Sequence, residues 1–545
     1  MTLQSSGSER RLWAQIEHRR LQLQAELDAA RTRTERNRSG QFATPPALAR
    51  EILASAVEPL GQAPVRFLDP AFGTGAFYYA LLTSLPAEQI TAAVGYEVDP
   101  HYGAPARDLW RPTGLVLHLE DFTKAAPPPA DSGRFNLIVC NPPYVRHHHL
   151  AASEKERLRR LCRETLGLRP DGLSGLYCYF LALCHQWLCE GGLGIWLVPS
   201  EFMDVNYGSW VKRYLADRVT LQWVHRFEPG EVQFGDALVS SAVLCLRKAG
   251  PGNSHEVKFS FGGAPGRPRL AANVPLATLR SERKWTRFPG QGQRDGAGYV
   301  LGDFFEIKRG LATGDNSYFV LRAPWCRDLG LPRRFLRPIL PSPRYVTGHE
   351  VLADQEGNPI TEPRLFLLDC ALAEEAVRQS CPALWKYLEE GRKRGLPDRY
   401  LCRHRRPWYS QERRPPAPIV ATYMGRSGVS RSPFRFIRNR SKATAANVYL
   451  LMYPKGALLS AVHVRPGLVD GIWAILNRLD PRALLDEGRV YGGGLHKLEP
   501  RELANVAASD IAALLGLPPR RAQHQLVRIE FYSEPAQAAF KALAD

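Results

Sequence analysis

The sequence predicts an α/β protein, with a doubly wound Rossmann-like domain followed by a second domain of mixed α/β structure. Short apolar strands alternate with helices from about residue 47 to 247, which is typical of a mainly parallel sheet. Glycine and proline become frequent at 249–275, which indicates a domain edge. The length of 545 residues suits two or three compact units.

The first predicted element is an exposed charged helix over 9–36, whose apolar stripe is incomplete. Further helices are predicted near 47–58, 76–85 and 172–189, and strands at 65–70, 92–98, 115–121, 135–143, 194–200 and 237–247. These elements divide the chain into a charged N-terminal helix (1–39), a doubly wound domain (40–250), a linker (251–275) and a second domain (276–545).

The net charge of +18 is concentrated in the second half of the chain. Residues 1–250 hold 27 Lys+Arg and 26 Asp+Glu, a balance of +1, whereas residues 251–545 hold 45 and 28, a balance of +17. Residues 401–450 combine eleven basic residues and one acid with interleaved aromatics. This pattern favours a polyanionic partner, with Arg435, Arg438 and Arg440 as candidate phosphate contacts. A solvated basic surface is the alternative.

Several classes of protein are not indicated. The ten cysteines show neither CxxC pairs nor regular spacing, which argues against structural zinc and a disulfide framework. His147, His148 and His149 are adjacent in a predicted loop and have no second ligand cluster, so we expect no metal site. The longest apolar stretch is too short to span a bilayer, so we expect no membrane association and a cytoplasmic location.

A glycine-rich turn follows the first predicted strand, in FLDPAFGTGAF (67–77). Asp69-Pro70 ends the strand, and Gly73-Thr74-Gly75 leads into a helix. Two glycines let the backbone approach a ligand at the carboxyl end of a strand, where open sheets bind ligands. The turn matches neither the dinucleotide fingerprint nor a phosphate loop, because Tyr78 replaces the third glycine and no Gly-Lys-Ser/Thr follows.

Carboxylates follow the next two predicted strands. Glu97-Val98 ends the second, where a carboxylate can accept from both ribose hydroxyls of a nucleoside. Asp121-Phe122 ends the third, where Asp121 can accept from an adenine amino group. The alternative is that these acids only cap helices or lie in solvent. A glycine turn, a ribose acid and an adenine acid together describe an adenosine site without a phosphate cradle, which S-adenosylmethionine fits.

The fourth predicted strand ends in Asn141-Pro142-Pro143-Tyr144. Consecutive prolines give a rigid turn without N–H donors, so the Asn141 side-chain oxygen and the Pro142 carbonyl become candidate acceptors for one amino group. Tyr144 offers a ring on which a planar base can stack, worth roughly 1–3 kcal/mol. A chance turn is the alternative for the isolated tetrapeptide.

In this order, the motifs resemble the N6-adenine DNA methyltransferases of restriction–modification systems, in the gamma arrangement of the Taq and Eco57 type. The resemblance covers residues 40–250, including Gly40-Gln41-Phe42-Ala43-Thr44-Pro45, which is similar to the family's segment around the methionine end of the cofactor. It implies an S-adenosylmethionine-dependent methyltransferase fold, with Phe234 stacking on the second face of a flipped adenine. The cofactor-binding residues that it implies are Gln41, Phe42, Thr44, Pro45, Asp69, Pro70, Gly73, Gly75, Glu97, Val98, Asp121, Phe122 and Asn141.

The resemblance continues more loosely beyond residue 300. Lys308-Arg309-Gly310 with residues 313–319 is similar to the opening of the family's target-recognition domain, and residues 491–500 are similar to its closing segment. This implies that the second domain reads double-stranded DNA and that Lys308 and Arg309 contact it. Only 39 residues precede the Gly40 segment, so we expect any cognate restriction endonuclease to be a separate chain, and this chain to be a monomer.

Two other functions remain open from the sequence. The Asn-Pro-Pro-Tyr motif also occurs in enzymes that methylate RNA bases or a glutamine amide of release factors, although these usually lack a large basic second domain. A DNA-binding specificity protein that keeps a silent methyltransferase fold is the other alternative. The intact motif and the complete adenosine site argue against it.

Overall fold

The computed structural model describes residues 7–228, 231, 233–234, 240–289, 298–426, 432–491, 495–519 and 528–531. The chain divides into two compact units: unit 1 comprises 1–294, 491–493 and 524–545, and unit 2 comprises 295–490 and 494–523. The described α-helices are α1 Gly7–Ala29, α2 Arg33–Ser39, α3 Pro46–Leu60, α4 Ala76–Ser84, α5 Pro100–Trp110, α6 Ala152–Leu166, α7 Leu176–Leu183, α8 Ser209–Asp217, α9 Leu276–Ser281, α10 Leu301–Phe304, α11 Asn316–Phe319, α12 Ala323–Asp328, α13 Glu374–Ser380, α14 Pro382–Lys393, α15 Tyr400–Arg403, α16 Gly456–Val464, α17 Leu468–Asn477, α18 Pro481–Glu487, α19 Pro500–Ala504 and α20 Ser509–Leu514.

The described strands are β1 Val65–Asp69, β2 Ile90–Tyr96, β3 Val116–His118, β4 Phe135–Cys140, β5 Leu188–Pro199, β6 Thr220–Arg226, β7 Ser241–Arg247, β8 Glu256–Ala264, β9 Arg267–Pro275, β10 Phe305–Arg309, β11 Val320–Arg322, β12 Leu336–Leu340, β13 Glu350–Val351, β14 Leu365–Leu368, β15 Ile419–Thr422, β16 Met424–Arg426, β17 Phe436–Asn439, β18 Thr444–Ala445, β19 Tyr449–Pro454, β20 Arg489–Tyr491, β21 Leu495–Lys497 and β22 Arg528–Phe531.

Unit 1 is built on a ten-stranded sheet of order β22-β9-β8-β6-β7-β5-β4-β1-β2-β3. The strands from β1 to β5 are parallel to their neighbours within this group, and β7 runs antiparallel to both β5 and β6. The strand order reverses between β1 and β4, which is the switch point where doubly wound sheets bind ligands. The doubly wound α/β fold that the sequence predicts is confirmed.

The central strands have continuous apolar sequences because helices cover both faces of the sheet. Phe67 and Leu68 in β1, and Leu137 and Ile138 in β4, have no exposed surface. Leu68 pairs with Ile138, and Asp69 pairs with Gly95 of β2. This register brings the carboxyl ends of four strands, and the polar residues that follow them, to one edge of the sheet.

The predicted linker at 251–275 was wrong. Residues 256–264 and 267–275 form the antiparallel strands β8 and β9, and β8 pairs in parallel with β6. Two of the glycines that suggested a linker, Gly262 and Gly263, lie near the end of β8 and have φ angles of 67° and 70°. The sheet of unit 1 therefore continues beyond residue 250.

The predicted N-terminal helix is two helices. The first, α1, ends at Ala29, and Thr32 caps the start of the second, α2. The Thr32 hydroxyl accepts from the Glu35 N–H, and the Glu35 carboxylate accepts from the Thr32 N–H. Glu17 and Arg20 of α1 are buried although the sequence pattern suggested exposure. They pair with each other, and Arg20 also donates to Thr74 of the glycine turn, as described below.

The predicted mixed α/β character of the second domain is confirmed. Strands β10–β21 form a five-stranded sheet (β10-β19-β15-β17-β13), a four-stranded sheet (β11-β14-β12-β18) and a three-stranded sheet (β16-β21-β20). The described helices α10–α20 accompany these sheets. Several apolar clusters, centred on residues such as Phe319, Phe436 and Tyr449, form the core.

Candidate functional site

A cavity of about 520 Å³ opens at the carboxyl ends of β1, β2, β3 and β4. Its volume is in the range of small-molecule sites. Among the predicted site residues, those that line it are Gln41, Phe42, Thr44, Asp69, Pro70, Gly73, Glu97, Val98, Asp121, Phe122, Asn141 and Pro143. Pro45, Gly75, Pro142, Tyr144 and Phe234 are described but do not line it. The structure thus brings residues from five separated segments to one cavity.

The two glycines of the 73–75 turn have different roles. Gly73 has a φ of 57°, lines the cavity, and a Cβ built on it would meet no atom within 4 Å. Gly75 also has a positive φ, 93°, but a Cβ there would lie 2.5 Å from Trp110 Nε1 and 2.7 Å from Phe72 Cζ. Gly73 therefore keeps space open for a ligand, whereas Gly75 is required by packing between the turn and the side chains behind it.

The Glu97 carboxylate is held by the backbone on both oxygens. Its Oε2 accepts from the Gly73 N–H at 2.9 Å, and its Oε1 accepts from the Asp99 N–H at 2.8 Å. Burial raises the pKa of Glu97 despite these donors. The glycine turn and the end of β2 therefore fix this carboxylate at the cavity wall.

Asp121 caps the turn that follows β3. Its Oδ1 accepts from the Thr123 N–H at 2.9 Å and from the Thr123 hydroxyl at 2.8 Å. The sequence left a capping role as the alternative to ligand binding, and the structure shows capping for this oxygen. The other oxygen, Oδ2, lies 3.5 Å from Lys124 Nζ. Asp121 also lines the cavity, so the same carboxylate is available to a ligand.

Asp69 is almost completely buried at the end of β1, with 1% of its surface exposed. The Ala71 N–H donates to its Oδ1 at 3.1 Å. Burial is the main cause that raises the pKa of Asp69 from 3.8 to about 8, and the nearby Glu97 raises it further. The carboxyl of Asp69 is therefore largely protonated in the folded protein at neutral pH.

We expect this group to make stability depend on pH. Between about pH 4 and pH 8 the unfolded chain has released the proton that folded Asp69 retains, so the free energy of unfolding falls as pH rises. Asp69→Asn keeps an acceptor for Ala71 and removes this titration. The free energy of unfolding is measured with denaturant at about pH 5.5 and pH 7.5. Between these two values it should fall by at least about 1 kcal/mol more in the parent than in the variant. Parallel losses in the two proteins would contradict the assignment.

The Asn141 amide is oriented by the segment that follows Gly40. Its Nδ2 donates to the Phe42 carbonyl at 3.0 Å and to Thr44 Oγ1 at 3.1 Å. Because a carbonyl only accepts, the amide nitrogen must face Phe42, and Oδ1 is left as the acceptor on the opposite side. This orientation agrees with the acceptor role predicted for the Asn141 oxygen.

Backbone contact joins the same two segments. The Tyr144 N–H donates to the Gly40 carbonyl at 3.0 Å. Gly40 has a φ of 65°, and a Cβ there would lie 2.4 Å from Tyr144 N and 2.6 Å from Val145 N. The close approach requires glycine at position 40.

Three aromatic rings lie beside this junction. Phe42, Tyr144 and Phe234 have mutual ring-centroid distances of 5.6, 5.6 and 5.8 Å. The Tyr144 hydroxyl donates to the Leu197 carbonyl at 3.2 Å, which holds the phenol against β5. The structure thus brings together Tyr144 and Phe234, the two rings predicted to stack on a base. In this structure they contact each other directly, with no space for a base between them.

The cavity residues that were missed from the sequence include a polar set on α1: Arg20, Gln24 and Asp28. They recur at every fourth residue, which places them on one face of the helix. Charged and amide side chains at this spacing are also typical of a solvated face, so their pattern does not predict burial.

The basic residues singled out in unit 2 have partners within it. Arg435 donates to the Val346 and Pro343 carbonyls, each at 2.6 Å, and Arg438 donates to Asp470 at 2.8 Å. Arg440 pairs with Glu350 and Asp470 and is more exposed than the other two. These contacts stabilise the fold of unit 2, and DNA binding by these arginines stays a prediction.

Lys308 and Arg309 lie in β10. Lys308 pairs with Glu306 at 2.8 Å, and the Arg309 guanidinium lies 4.1 Å from the centre of the Tyr423 ring. In the predicted closing segment, residues 492–494 are outside the described residues, and Leu495–Lys497 forms β21.

Other predicted features can be placed briefly. His147–His149 form a turn at the surface, where the His148 and His149 rings are 4.2 Å apart. Within the described residues, no group of three or more His, Cys, Asp or Glu side chains is arranged to hold a metal ion. None of the described helices is long and apolar enough to cross a membrane.

Comparison with known families gives two matches. Residues 292–529 match the family described as Type II methyltransferase M.Eco57I, C-terminal domain, and residues 108–233 match the Eco57I restriction-modification methylase family. The first match includes the predicted opening and closing segments of the second domain, and the second match includes the Asn141-Pro142-Pro143-Tyr144 motif.

Individual relatives extend over most of the chain. Type II methyltransferase M.XamI of Xanthomonas campestris pv. amaranthicola is 28% identical over 81% of this chain and 80% of its own. Type II methyltransferase M.AccI of Acinetobacter calcoaceticus is 26% identical over 82% and 81%. The release factor glutamine methyltransferase of Vibrio cholerae serotype O1 is 36% identical, but over only 28% of this chain and 49% of its own.

Proposed function

Because the chain belongs to the Eco57I-type restriction–modification methyltransferases, we propose that it transfers a methyl group from S-adenosylmethionine to the N6 amino group of adenine in double-stranded DNA. The observation that carries the proposal is the orientation of Asn141 at the cavity. Its amide nitrogen is bound by Phe42 and Thr44, which leaves its oxygen as an acceptor at the predicted target position.

The cavity suits S-adenosylmethionine chemically. It has room for a nucleoside with an amino-acid tail, and no side chain at Gly73 fills it. The carboxylates on its lining far outnumber its one arginine, and this excess suits a ligand with a sulfonium and an ammonium group. These carboxylates are Asp28, Glu97, Asp99, Glu120, Asp121 and Glu154, whereas the lining residue Asp69 is largely protonated, and the arginine is Arg20. Glu97 is positioned for the ribose hydroxyls and Asp121 for the adenine amino group.

The cofactor, when bound, supplies an electrophilic methyl group on sulfur. Asn141 Oδ1 and the Pro142 carbonyl accept the two N–H groups of the target adenine and hold its nitrogen lone pair toward that methyl. The reaction would be a direct displacement without a covalent enzyme intermediate: the bond from the methyl carbon to sulfur would break as the bond to nitrogen forms, and the amino group would lose one proton to water. Positioning by these residues would supply most of the rate gain. Phe42 and Thr44 act as positioning residues, because they orient the Asn141 amide.

The target base must leave the duplex to reach this site, at a cost of a few kcal/mol. Tyr144 and Phe234 offset this cost by stacking on the base. Since the two rings touch each other in this structure, a base can enter between them only when they separate. Because the Tyr144 hydroxyl is hydrogen-bonded to the Leu197 carbonyl, we expect Phe234 to be the ring that moves.

The second unit is the proposed DNA-recognition domain, acting in the cytoplasm with a separate cognate endonuclease and as a monomer. The glutamine methyltransferase alternative is disfavoured, since that relative matches little more than a quarter of the chain.

The proposal is tested with the purified full chain and radiolabelled S-adenosylmethionine. Label should enter duplex DNA, and digestion of that DNA should release N6-methyladenosine. Transfer RNA, ribosomal RNA and a release factor serve as competing acceptors in parallel reactions. Label found in RNA or protein but not in DNA would overturn the proposal, and label in cytosine would correct the target base.

A further inference from the structure

One face of α1 forms a wall of the cofactor cavity. Arg20, Gln24 and Asp28 all line it, and successive members of this set are four residues apart on the helix. The helix precedes every motif that the sequence resemblance covers. Its contacts show which of its atoms are already used and which remain for a ligand.

Arg20 anchors this face to the glycine turn. Its guanidinium donates to both Glu17 oxygens at 2.6 and 2.7 Å, and its Nη1 donates to Thr74 Oγ1 at 3.2 Å. Only 1% of Arg20 is exposed. The helix is therefore fixed against the turn through a buried charge pair rather than an apolar contact.

Gln24 is oriented by the same threonine. The Thr74 hydroxyl donates to Gln24 Oε1 at 2.7 Å, which assigns the oxygen end of the amide to the protein. Among the described residues, none accepts from Gln24 Nε2, and the side chain lines the cavity. The amide nitrogen is therefore a donor available to an anionic group of a ligand.

Asp28 lies one turn further along the same face. The Tyr102 hydroxyl donates to its Oδ1 at 2.9 Å, and the side chain lines the cavity. Its second oxygen can accept from a cationic group. An N–H donor and a carboxylate on adjacent turns match the two ends of an α-amino acid zwitterion, whose carboxylate and ammonium groups lie close together.

We propose that Gln24 and Asp28 bind the amino-acid end of the cofactor, with Gln24 Nε2 donating to its carboxylate and Asp28 accepting from its ammonium group. The inference rests on the proposed use of S-adenosylmethionine. Glu97 and Asp121 take the ribose and adenine in that proposal, and the segment that follows Gly40 lies at the methionine end, so α1 shares that end of the cofactor with this segment.

The test compares three ligands by calorimetry on the full chain: S-adenosylmethionine, S-adenosylhomocysteine and 5′-methylthioadenosine, which lacks the amino-acid end. Gln24→Ala should bind the first two about 10- to 100-fold more weakly, as expected for a lost hydrogen bond to a charged group. Its affinity for 5′-methylthioadenosine should match the parent. Asp28→Asn, which keeps an acceptor for Tyr102, should show the same selective loss.

Gln22→Ala is the matched control, because Gln22 is an exposed glutamine on α1 that bonds only with His18 among the described residues. It should leave all three affinities unchanged. An equal loss for all three ligands in the Gln24 and Asp28 variants would assign these residues to cavity shape and overturn the inference, as would no loss at all. If the parent itself bound none of the ligands, the proposed function would fail instead.

Discussion

Asn141→Ala should lower the rate of methyl transfer by at least about 100-fold, the usual cost of removing one preorganised polar group that acts on the transition state. The Asn141 oxygen is the acceptor left when Phe42 and Thr44 bind the amide nitrogen. Single-turnover transfer with radiolabelled cofactor measures the rate, and calorimetry measures cofactor affinity. The loss should be mainly in the rate, because the acceptor binds the target nitrogen rather than the cofactor.

Two further variants separate chemistry from positioning. Asn141→Asp keeps an acceptor but places a carboxylate oxygen against the Phe42 carbonyl, so we expect it to be as inactive as the alanine variant. Thr44→Val removes only one partner of Nδ2 and retains the Phe42 contact, so its rate should fall by less than about 10-fold. Near-normal turnover by Asn141→Ala would show that this residue has no part in the mechanism. If Thr44→Val lowered the rate of methyl transfer as much as Asn141→Ala does, Asn141 would have a structural role instead.

The position of the cavity could be predicted because local signals and topology agree. Each of Asp69, Glu97, Asp121 and Asn141 lies within the last three residues of a predicted strand, and strands that alternate with helices run parallel. Parallel strands bring their carboxyl ends to one edge, so the sequence order alone gathers these side chains. The family matches confirm the resemblance to Eco57I-type restriction–modification methyltransferases.

The sequence did not predict features that depend on contacts between distant segments. The polar face of α1 has the pattern of a solvated helix, and its contacts with Thr74 and Tyr102, which are distant in sequence, explain why it packs against the sheet unit. Gly75 has the pattern of a ligand-binding glycine, but Trp110, from a different helix, decides its role. Arg435 and Arg438 belong to a basic stretch, but a charge count cannot show whether its arginines have partners within the protein. In the structure, Arg435 donates to backbone carbonyls and Arg438 donates to Asp470.

Secondary structure was missed for related reasons. The predicted helix over 172–189 is shorter, since α7 ends at Leu183 and β5 begins at Leu188. Apolar residues continue through both elements, and both are buried, so periodicity cannot locate the boundary between them. Helices α6 and α8 and strand β6 were not predicted at all.

Gly40→Ala should abolish methyl transfer and destabilise unit 1. The added Cβ would lie 2.4 Å from Tyr144 N, a distance that only a shift of one backbone segment can relieve. Such a shift breaks the hydrogen bond from Tyr144 to the Gly40 carbonyl and moves Phe42 away from Asn141. We expect a loss of at least about 2 kcal/mol in the free energy of unfolding, since steric strain adds to the cost of alanine at positive φ. Denaturant unfolding and single-turnover transfer measure the two effects.

Gly114→Ala separates the two contributions to that loss. Gly114 has a φ of 73°, similar to that of Gly40, but a Cβ there would meet no atom within 4 Å. This control therefore carries only the cost of a left-handed alanine, about 1–2 kcal/mol, and should retain parental activity. If Gly40→Ala unfolded like Gly114→Ala and kept its activity, the contact between the Gly40 segment and Tyr144 would not be required. A Gly40→Ala protein that is folded and binds cofactor, but is inactive, would show that this contact positions the residues that carry out methyl transfer.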